Sequence, residues 1–357
     1  MCRMEKVTIY EIAKKVGLSP ATVSRAIHSP HLLSPATLER IKRAMQESNY
    51  TYNAAAANLS RGSSSTIHVF IPAVSSSVFS ATVMGVQEFA FKHFLSVVVS
   101  STNYDSRNEI ELLKQAREQR CAGILLTGLC KNNEARVLQL AKEGMPIVLM
   151  WEKGPPGLNS VGFDNYEVVR SAVEYLVSLG HRRIGAVFGL FSLFSRVQMR
   201  VDAYLDVLRE NGLDREPGLY LESYPTIEDG KKAVSRLLKL RPRPTAIMCA
   251  NDLQAMGAYE IIRKAGLRIP EDISVFGFDD LEVAPYLSPP LSTVHVPGYA
   301  IGKQAAKLLV SMLKKKDKPI VQQIVDTPLK IRQSCVVPPV LAEGEGNMKR
   351  EAAQVVP

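Results

Sequence analysis

A stretch near the N-terminus decides the first fold assignment and reads Val7-Thr8-Ile9-Tyr10-Glu11-Ile12-Ala13-Lys14-Lys15-Val16-Gly17-Leu18-Ser19-Pro20-Ala21-Thr22-Val23-Ser24-Arg25-Ala26-Ile27. Thr8 and Glu11 have the spacing of a capping box, in which each side chain binds a backbone amide at a helix start. Gly17 favours the end of that helix. Ser19 followed by Pro20 favours a second start, because serine caps well and proline loses no hydrogen bond at the first helical position. Two short helices joined by a glycine turn predict a helix-turn-helix.

The apolar positions predict three helices in this part of the chain. The second helix, at about Pro20 to His28, is expected to bury Val23 and Ile27. A third helix is expected to begin at Pro35 with Ser34 as its cap. Its apolar stripe consists of Leu38, Ile41, Ala44 and Met45.

The second helix is expected to expose small or forked polar groups that fit a DNA major groove. These are Ala21, Thr22, Ser24 and Arg25, with Pro20 at the tip. An arginine such as Arg25 donates two parallel hydrogen bonds to guanine O6 and N7, which discriminates against other bases by about 1–3 kcal/mol. Geometry alone also fits an ordinary three-helix mini-domain whose arginine is merely solvated.

The charge of the chain is concentrated near its N-terminus. Residues 1–62 carry nine Lys and Arg against four Asp and Glu, which is +5 of a net charge of +9 over 357 residues. A concentrated basic segment favours a polyanion partner. Taken alone, the charge fits a solvated basic surface better.

Composition excludes several other classes of protein. At about 100–200 residues per domain, 357 residues predict two or three folded units, and 46% hydrophobic residues suffice for a full core. No apolar run approaches the roughly 18 residues of a membrane span, and the polar N-terminus is unlike a signal peptide. Five cysteines form no C-x-x-C motif, which predicts reduced thiols in the cytoplasm and neither a metal site nor a cofactor.

From Thr66 to about Val337, apolar runs alternate with amphipathic helical patterns such as Val83–Phe94 and Gln198–Asn211. The strand-like runs are Ile67–Pro72, Ser96–Ser100, Gly123–Thr127, Pro146–Met150, Ser160–Phe163, Ile184–Gly189, Thr245–Ala250, Ile273–Phe278 and Ser292–Val296. This alternation predicts an α/β fold with parallel sheets of βαβ units. About 270 residues would require an unusually large single open sheet, so two Rossmann-like lobes are expected.

Enzyme signatures are missing from this region, since it holds no G-x-G-x-x-G, G-x-S-x-G or H-E-x-x-H motif. Instead, polar and aromatic side chains follow the predicted strands, where ligands of open α/β sheets bind. The candidates for a ligand site are Phe79, Asp164, Arg196, Arg200, Asn251 and Asp279. Convergent acceptors, guanidinium groups and an aromatic face suit a hydroxylated small molecule. Each Asp or Asn taken singly also fits an ordinary helix cap.

Residues 7–27, with their T-x-x-[DE]-[IV]-A, G-[VL]-S and T-V-S-R pattern, closely resemble the headpiece of the LacI/GalR family of bacterial repressors. The resemblance implies sequence-specific binding to an operator. By matched position it implies base contacts from Pro20, Ala21 and Arg25. It implies phosphate contacts or capping from Thr8, Ser19, Thr22 and Ser24.

A hinge follows, with Asn53 as a helix cap, four alanines and Gly62 as a stop. So short a helix is marginal alone, which predicts a tether that becomes helical when it docks. The family resemblance implies DNA contacts from Asn53, Ala56 and Leu59, with Leu59 wedged into the minor groove beside its dimer mate. Family hinges usually carry Pro where Tyr52 stands and often Arg where Ala54 stands.

The resemblance extends over about residues 6–335, including Val161-Gly162-Phe163-Asp164-Asn165 and Ile269-Pro270-Glu271-Asp272-Ile273-Ser274-Val275-Phe276-Gly277-Phe278-Asp279-Asp280. It implies a two-lobed core like that of periplasmic sugar-binding proteins, with three crossovers. Matched positions imply effector contacts from Asp164, Arg200, Asn251 and Asp279, and stacking by Phe79. Trp151 and Glu152 depart from the family pattern, and Arg196 beside Arg200 indicates an anionic ligand such as a sugar acid or sugar phosphate.

The chain is thus predicted to be a homodimeric, cytoplasmic, allosteric transcriptional regulator, most simply a repressor, and no enzyme. Its expected partners are a pseudo-palindromic double-stranded DNA operator and a small-molecule effector, a sugar or sugar derivative, without membrane contact. The alternative is a non-regulatory sugar-binding protein. The predicted divisions are residues 1–50 (headpiece), 51–65 (hinge), 66–337 (core) and 338–357 (a disordered tail without a tetramer zipper).

Overall fold

The computed structural model of the chain describes residues 7–28, 30–50, 64–213, 215–314 and 319–339. The predicted hinge contacts Asn53, Ala56 and Leu59 lie outside the described residues, as does the tail from residue 340. The proposed hinge and tail therefore remain predictions.

The headpiece consists of three helices in the predicted places: α1 (Ile9–Val16), α2 (Pro20–His28) and α3 (Pro35–Glu47). The capping box is present, because Thr8 Oγ1 accepts from Glu11 N at 3.4 Å and Glu11 Oε2 accepts from Thr8 N at 2.6 Å. Gly17 ends α1 in the left-handed conformation, at φ 61°. Local capping signals therefore set both ends of the first helix.

The three helices share a small core formed by Ile12, Ala13, Val16, Val23, Ala26, Ile41 and Ala44. The prediction for α2 was half right. Val23 is fully buried, whereas Ile27 is only half-buried and Ala26 occupies the buried position instead. The buried face of α2 therefore passes through Val23 and Ala26, three residues apart, and Ile27 lies at its edge.

The first sheet of the core is wholly parallel and has the strand order β11-β5-β4-β3-β1-β2. Its strands are β1 (Thr66–Ile71), β2 (Ser96–Ser101), β3 (Gly123–Thr127), β4 (Ile147–Met150), β5 (Asn159–Gly162) and β11 (Gln322–Ile324). Its helices are α4 (Ser77–Phe91), α5 (Ser106–Glu118), α6 (Glu134–Lys142) and α11 (Gly298–Lys314). We call this sheet with its helices lobe 1.

The second sheet is also parallel, with the order β7-β6-β8-β9. Its strands are β6 (Ile184–Phe188), β7 (Tyr220–Glu222), β8 (Ala246–Cys249) and β9 (Ser274–Phe276). Its helices are α7 (Asn165–Ser178), α8 (Ser195–Glu210), α9 (Ile227–Leu237) and α10 (Asp252–Lys264). We call this unit lobe 2.

The chain passes between the lobes three times, as the resemblance implied. It leaves lobe 1 after β5, returns between β9 and α11, and leaves again after β11 to run beside β9, where Val275 N donates to Ser334 O at 2.9 Å. Only three connecting segments join the two sheets. Because few backbone torsions lie in these segments, the lobes can move relative to each other as rigid bodies.

Three details differ from the sequence-based prediction. The predicted strand Ser292–Val296 contacts the second sheet only through an isolated parallel bridge between Ser292 and Phe276 of β9. Its middle, β10 (Thr293–Val294), pairs antiparallel with β12 (Leu329–Lys330). Strands β7 and β11 were missed, because their three residues include exposed polar side chains and form no apolar run, unlike the equally short but buried β9. Helix α4 begins at Ser77, six residues before the predicted Val83, so Phe79 lies in its first turn.

No helix among the described residues is both long and apolar enough to cross a membrane.

Candidate DNA-reading face and effector cleft

Helix α2 presents the predicted reading residues on its outer side. Ala21 and Arg25 are exposed, and Pro20, Thr22 and Ser24 are half-buried at the edge of the same surface. The buried Val23 and Ala26 anchor the opposite side of the helix. An exposed guanidinium on an anchored helix meets the geometric requirement for reading a base edge.

Two of the predicted phosphate-contacting residues already serve as helix caps. Ser19 Oγ accepts from Thr22 N at 3.1 Å and lies 2.9 Å from Thr22 Oγ1. Thr8 caps α1 in the same way. Both residues stay exposed, so their hydroxyl groups fix the helix starts while their backbone amides lie at the surface. Tyr10, which sequence reasoning did not select, is an exposed aromatic residue beside Thr8.

A cleft lies between the two lobes, where the carboxyl ends of both sheets meet. Its lining comes from the segments that follow β1, β2, β4, β6, β7, β8 and β9. The lining residues are Ser76, Phe79, Tyr104, Trp151, Gly189, Leu190, Phe194, Arg196, Val197, Arg200, Pro225, Ala250, Asn251 and Asp279. Both lobes therefore contribute to one site, as expected for open α/β sheets.

Arg200, on α8, is the most firmly held polar group of the cleft. Its side chain is 7% exposed, its Nε donates to Asn165 Oδ1 at 2.8 Å, and its guanidinium carbon lies 3.9 Å from the centroid of the Phe278 ring. Burial lowers the pKa of Arg200 to about 9, assisted by the charge of Arg196, so the group stays charged at neutral pH. A guanidinium fixed in this way is ready to donate to ligand oxygens.

Asn251 and Asp279 approach the cleft from the ends of β8 and β9. Asn251 caps α10, and its Nδ2 donates to the Pro225 carbonyl at 3.0 Å. Asp279 has a positive φ of 108°, which a non-glycine residue rarely adopts and which marks a constrained functional position. Burial and the charge of Asp252 raise the pKa of Asp279 well above its usual range, although both arginines oppose this.

An aromatic wall closes the cleft. The rings of Phe79 and Trp151 lie 5.0 Å apart, and those of Tyr104 and Phe194 meet edge to face at 6.2 Å. The Trp151 ring is fixed because its Nε1 donates to Thr82 Oγ1 at 3.2 Å. Apolar faces beside a few directed polar groups are typical of small-molecule sites.

Arg196 lies one helical turn before Arg200, near two buried carboxyl groups. It is 6% exposed, and its Nη1 has no hydrogen-bond partner among the described residues. The neighbouring Glu152 accepts from Leu129 N at 2.8 Å. Burial raises the pKa of Glu152 to about 7, although the positive charge of Arg196 opposes the shift.

The structure brings Phe79, Arg196, Arg200, Asn251 and Asp279 together in the cleft, and it does not bring Asp164 there. Asp164 Oδ1 accepts from Tyr166 N at 3.0 Å and Glu167 N at 3.1 Å, so it caps α7. Its neighbour Asn165 makes the contact with Arg200 instead. In the structure Asp164 therefore serves as a helix cap.

Sequence reasoning missed three contributors: Tyr104, Phe194 and Asn165. Tyr104 adjoins two polar residues after β2 and has a positive φ of 57°. No local sequence pattern predicts this backbone conformation. Phe194 stands at the N-cap of α8, four residues before the predicted helix start. Asn165 carried a usable signal, since a second polar residue directly after a strand-end aspartate often faces the same edge.

No group of three or more His, Cys, Asp or Glu side chains is placed to hold a metal ion, within the part of the chain that the structure describes.

Comparison with known proteins extends these observations. The family model for bacterial regulatory proteins of the lacI family matches residues 8–53, and the one for the periplasmic binding protein-like domain matches residues 173–335. The headpiece and the larger part of the cleft-forming chain thus match two models that describe a DNA-binding unit and a ligand-binding fold.

Curated relatives are similar over nearly the whole chain. The HTH-type transcriptional repressor CytR of Escherichia coli K12 is 31% identical over 329 residues, covering 92% of this chain and 96% of the relative. The ribose operon repressor of Haemophilus influenzae is 30% identical, covering 92% of this chain and 98% of the relative.

Solved structures agree with this result. The lac repressor dimer bound to operator and the anti-inducer ONPF is 27% identical, with a TM-score of 0.79, covering 93% of this chain and all of that one. The transcriptional regulator CelR with cellobiose is 27% identical, with a TM-score of 0.68, covering 92% of this chain and 99% of that one. These relatives are DNA-binding regulators and not enzymes, and the chain belongs with them to the LacI/GalR family of bacterial transcriptional regulators.

Proposed function

We propose that this regulator binds a pseudo-palindromic operator as a homodimer and releases or retains it according to the effector in the cleft. The observation that carries the proposal is the convergence of Phe79 from lobe 1 with Arg200, Asn251 and Asp279 from lobe 2 around one cavity. A ligand that contacts both lobes favours one arrangement of them over another.

The coupling follows from the connections between the lobes. Lobe closure changes the spacing of the two tethers in a dimer, and a coupling of about 1–3 kcal/mol suffices for a 5–150-fold change in operator affinity. One side of the cleft is already bridged, because Lys131 Nζ of lobe 1 donates to the Phe191 carbonyl of lobe 2 at 2.7 Å.

We assign base reading to Pro20, Ala21 and Arg25, and phosphate contact or capping to Thr8, Ser19, Thr22 and Ser24. The exposure of Ala21 and Arg25 on an anchored helix supports the assignment. For the hinge we retain Asn53, Ala56 and Leu59 as proposed DNA contacts, with Leu59 in the minor groove.

A homodimer is supported by the apolar surface of lobe 1. Met84 and Phe91 on α4 are 62% and 83% exposed, and Phe94 and Val98 lie exposed nearby on the way to and along the edge strand β2. Clustered exposed apolar side chains mark interaction surfaces. One headpiece reads one half-site, so a two-fold dimer matches a palindrome.

We also propose a cytoplasmic location, which gives access to chromosomal DNA. The four cysteines in the described residues, Cys121, Cys130, Cys249 and Cys335, are buried free thiols, which suits a reducing compartment.

The test begins with selection of bound duplexes from random DNA by the full chain, followed by footprinting. We expect enrichment of sequences with two-fold symmetry and a protected region of two half-sites. Effectors are then found by thermal shift and added to the footprint, where a true effector changes operator occupancy. Absence of any selected sequence would favour the alternative, a sugar-binding protein without a regulatory role.

A further inference from the structure

The cleft contains a buried guanidinium group with one nitrogen that has no hydrogen-bond partner among the described residues. Arg196 is 94% buried, with a relative exposure of 6%, lines the cleft, and its Nη1 makes no hydrogen bond within the described residues. Its guanidinium carbon lies 5.6 Å from the centroid of the Phe194 ring. Arg200, in contrast, donates a hydrogen bond to Asn165 and lies closer to its aromatic partner, Phe278. An unpaired buried donor on a charged group costs free energy, so a structure that keeps one at a ligand site is expected to satisfy it with the ligand.

The surroundings make room for this guanidinium. Gly128, with φ at 77°, lies directly against Arg196, and a Cβ at this position would overlap the guanidinium group. The positive φ favours glycine here, and the missing Cβ leaves room for the guanidinium group where it lies. The side chain is therefore accommodated in a defined place and is not a surface arginine that folded inward.

The carboxyl groups near the arginines are buried, and burial opposes their ionisation. Glu109, Glu152 and Asp279 are the acidic groups near Arg196, and burial raises the pKa of each, that of Glu152 to about 7. Arg200 stays charged, with a pKa of about 9. Burial thus disfavours the ionised form of the carboxyl groups near the two guanidinium groups, which favours a positive potential in the cleft.

Helix α8 adds to this positive potential. It begins at Ser195 in the cleft wall, its N-cap Phe194 provides no capping side chain, and its first turn contains no acidic residue. The positive end of the helix dipole therefore faces the cleft without a compensating anion from its own turn.

We propose that the effector is a hydroxylated small molecule with an anionic group, a carboxylate or a phosphate, which binds Arg196 at the first turn of α8. The inference rests on the proposed effector function of the cleft and specifies its ligand. The planar fork of Arg196 pairs with two oxygens of either group, while Arg200, Asn251 and Asp279 contact the hydroxylated part.

The test uses the full chain and matched sets of probes in calorimetry and thermal shift. The sets are D-glucose with D-gluconate and D-glucose 6-phosphate, and D-ribose with D-ribose 5-phosphate, with inorganic phosphate as a bare anion. We expect an anionic member to bind about 10- to 100-fold more tightly than its neutral parent, as for one or two charge-assisted hydrogen bonds. Comparing the carboxylate with the phosphate arm identifies the anionic group.

Variants assign the preference to one residue. Arg196→Gln is expected to abolish the preference for the anion, and Arg196→Lys, which keeps the charge without the fork, to retain part of it. Arg209→Gln on the same helix removes the same charge from an exposed side chain outside the cleft and is expected to retain all of it. Circular dichroism melting verifies that each variant is folded. If Arg196→Gln does not fold, Arg196→Lys alone tests the contribution of this residue.

Three outcomes would overturn the inference. They are equal or tighter binding of the neutral parents, an unchanged preference in Arg196→Gln, and failure of every anion, phosphate included, to stabilise the wild-type chain more than the variant. A neutral sugar that binds at least as tightly as its anionic counterpart and alters operator affinity would refute this inference and leave the proposed function intact. An anion that binds with the expected preference but does not alter operator affinity would support this inference and contradict the proposed function.

Discussion

The headpiece and the effector cleft solve two recognition problems by opposite means. The headpiece places Ala21 and Arg25 on an exposed helix above a core of seven small or medium side chains. The cleft buries its arginines next to carboxyl groups, and burial together with the neighbouring charges shifts the pKa values of Arg200, Glu152 and Asp279. Substitutions on the reading face are therefore expected to change binding alone, whereas those in the cleft change binding and stability together.

The largest expected effect tests the cleft side of this comparison. Arg200→Ala removes the hydrogen bond to Asn165 and the contact with Phe278, and we expect a loss of about 3 kcal/mol in the free energy of unfolding, together with the effector response. Denaturant unfolding and calorimetry measure the two. Arg209→Ala, with its exposed ion pair to Asp206, is the control and should lose at most about 1 kcal/mol. A stable Arg200→Ala chain with an intact effector response would disprove the site assignment.

The next effect tests the headpiece side. Arg25→Ala is expected to weaken binding to the selected operator by about 1–3 kcal/mol per half-site, with little change in stability, because the side chain is exposed. Titrations on operator and random DNA at one salt concentration measure it. Arg40→Ala removes an exposed charge from α3 and should weaken both DNAs equally. Equal losses for Arg25→Ala on both DNAs would rule out base reading.

The pH dependence sharpens the comparison further. Burial raises the pKa of Glu152 to about 7, so the folded chain holds this proton more tightly than the unfolded chain does. Its contribution to stability is present at low pH and is lost as the pH rises through 7, by about 1 kcal/mol between pH 6 and pH 8. Unfolding at several pH values should show a smaller decline for Glu152→Gln. The control Glu167→Gln, at an exposed position on α7, should show the same pH dependence as the wild type. If Glu152→Gln also declined as much as the wild type, Glu152 would not be responsible for the pH dependence.

The smallest effect concerns the cap of α1. Thr8→Ala removes half of the capping box, and we expect a local loss of about 0.5–1 kcal/mol in α1 without a change in the cleft. Hydrogen exchange of the α1 amides measures the loss in the full chain. Thr8→Ser keeps the hydroxyl group and should restore protection. Equal exchange in all three chains would mean that the cap seen here does not stabilise the helix.

The sequence predicted the headpiece helices nearly to the residue, because their signals act over three or four positions. Thr8 with Glu11, Gly17, and Ser34 with Pro35 each report on a neighbouring backbone group. The alternation of strands and helices was equally readable, since burial leaves periodic patterns. Short strands with exposed polar side chains, such as β7 and β11, were not.

The cleft was only partly predictable. Five of its residues were identified as strand-end candidates, but the same pattern also selected Asp164, which caps a helix. Asp164 and Asn165 are adjacent polar residues after one strand, and their different roles depend on α8, which brings Arg200 to Asn165 from 35 residues away.

By itself the sequence determined the caps, the basic headpiece, the α/β class and the candidates for binding. Tertiary structure alone decided which candidates meet, which strands pair antiparallel, and that Arg196 is buried with an unpaired nitrogen. The physical reason is range. Capping and periodicity act between residues close along the chain, whereas convergence and burial depend on packing between segments more than a hundred residues apart, such as those that carry Phe79 and Asp279.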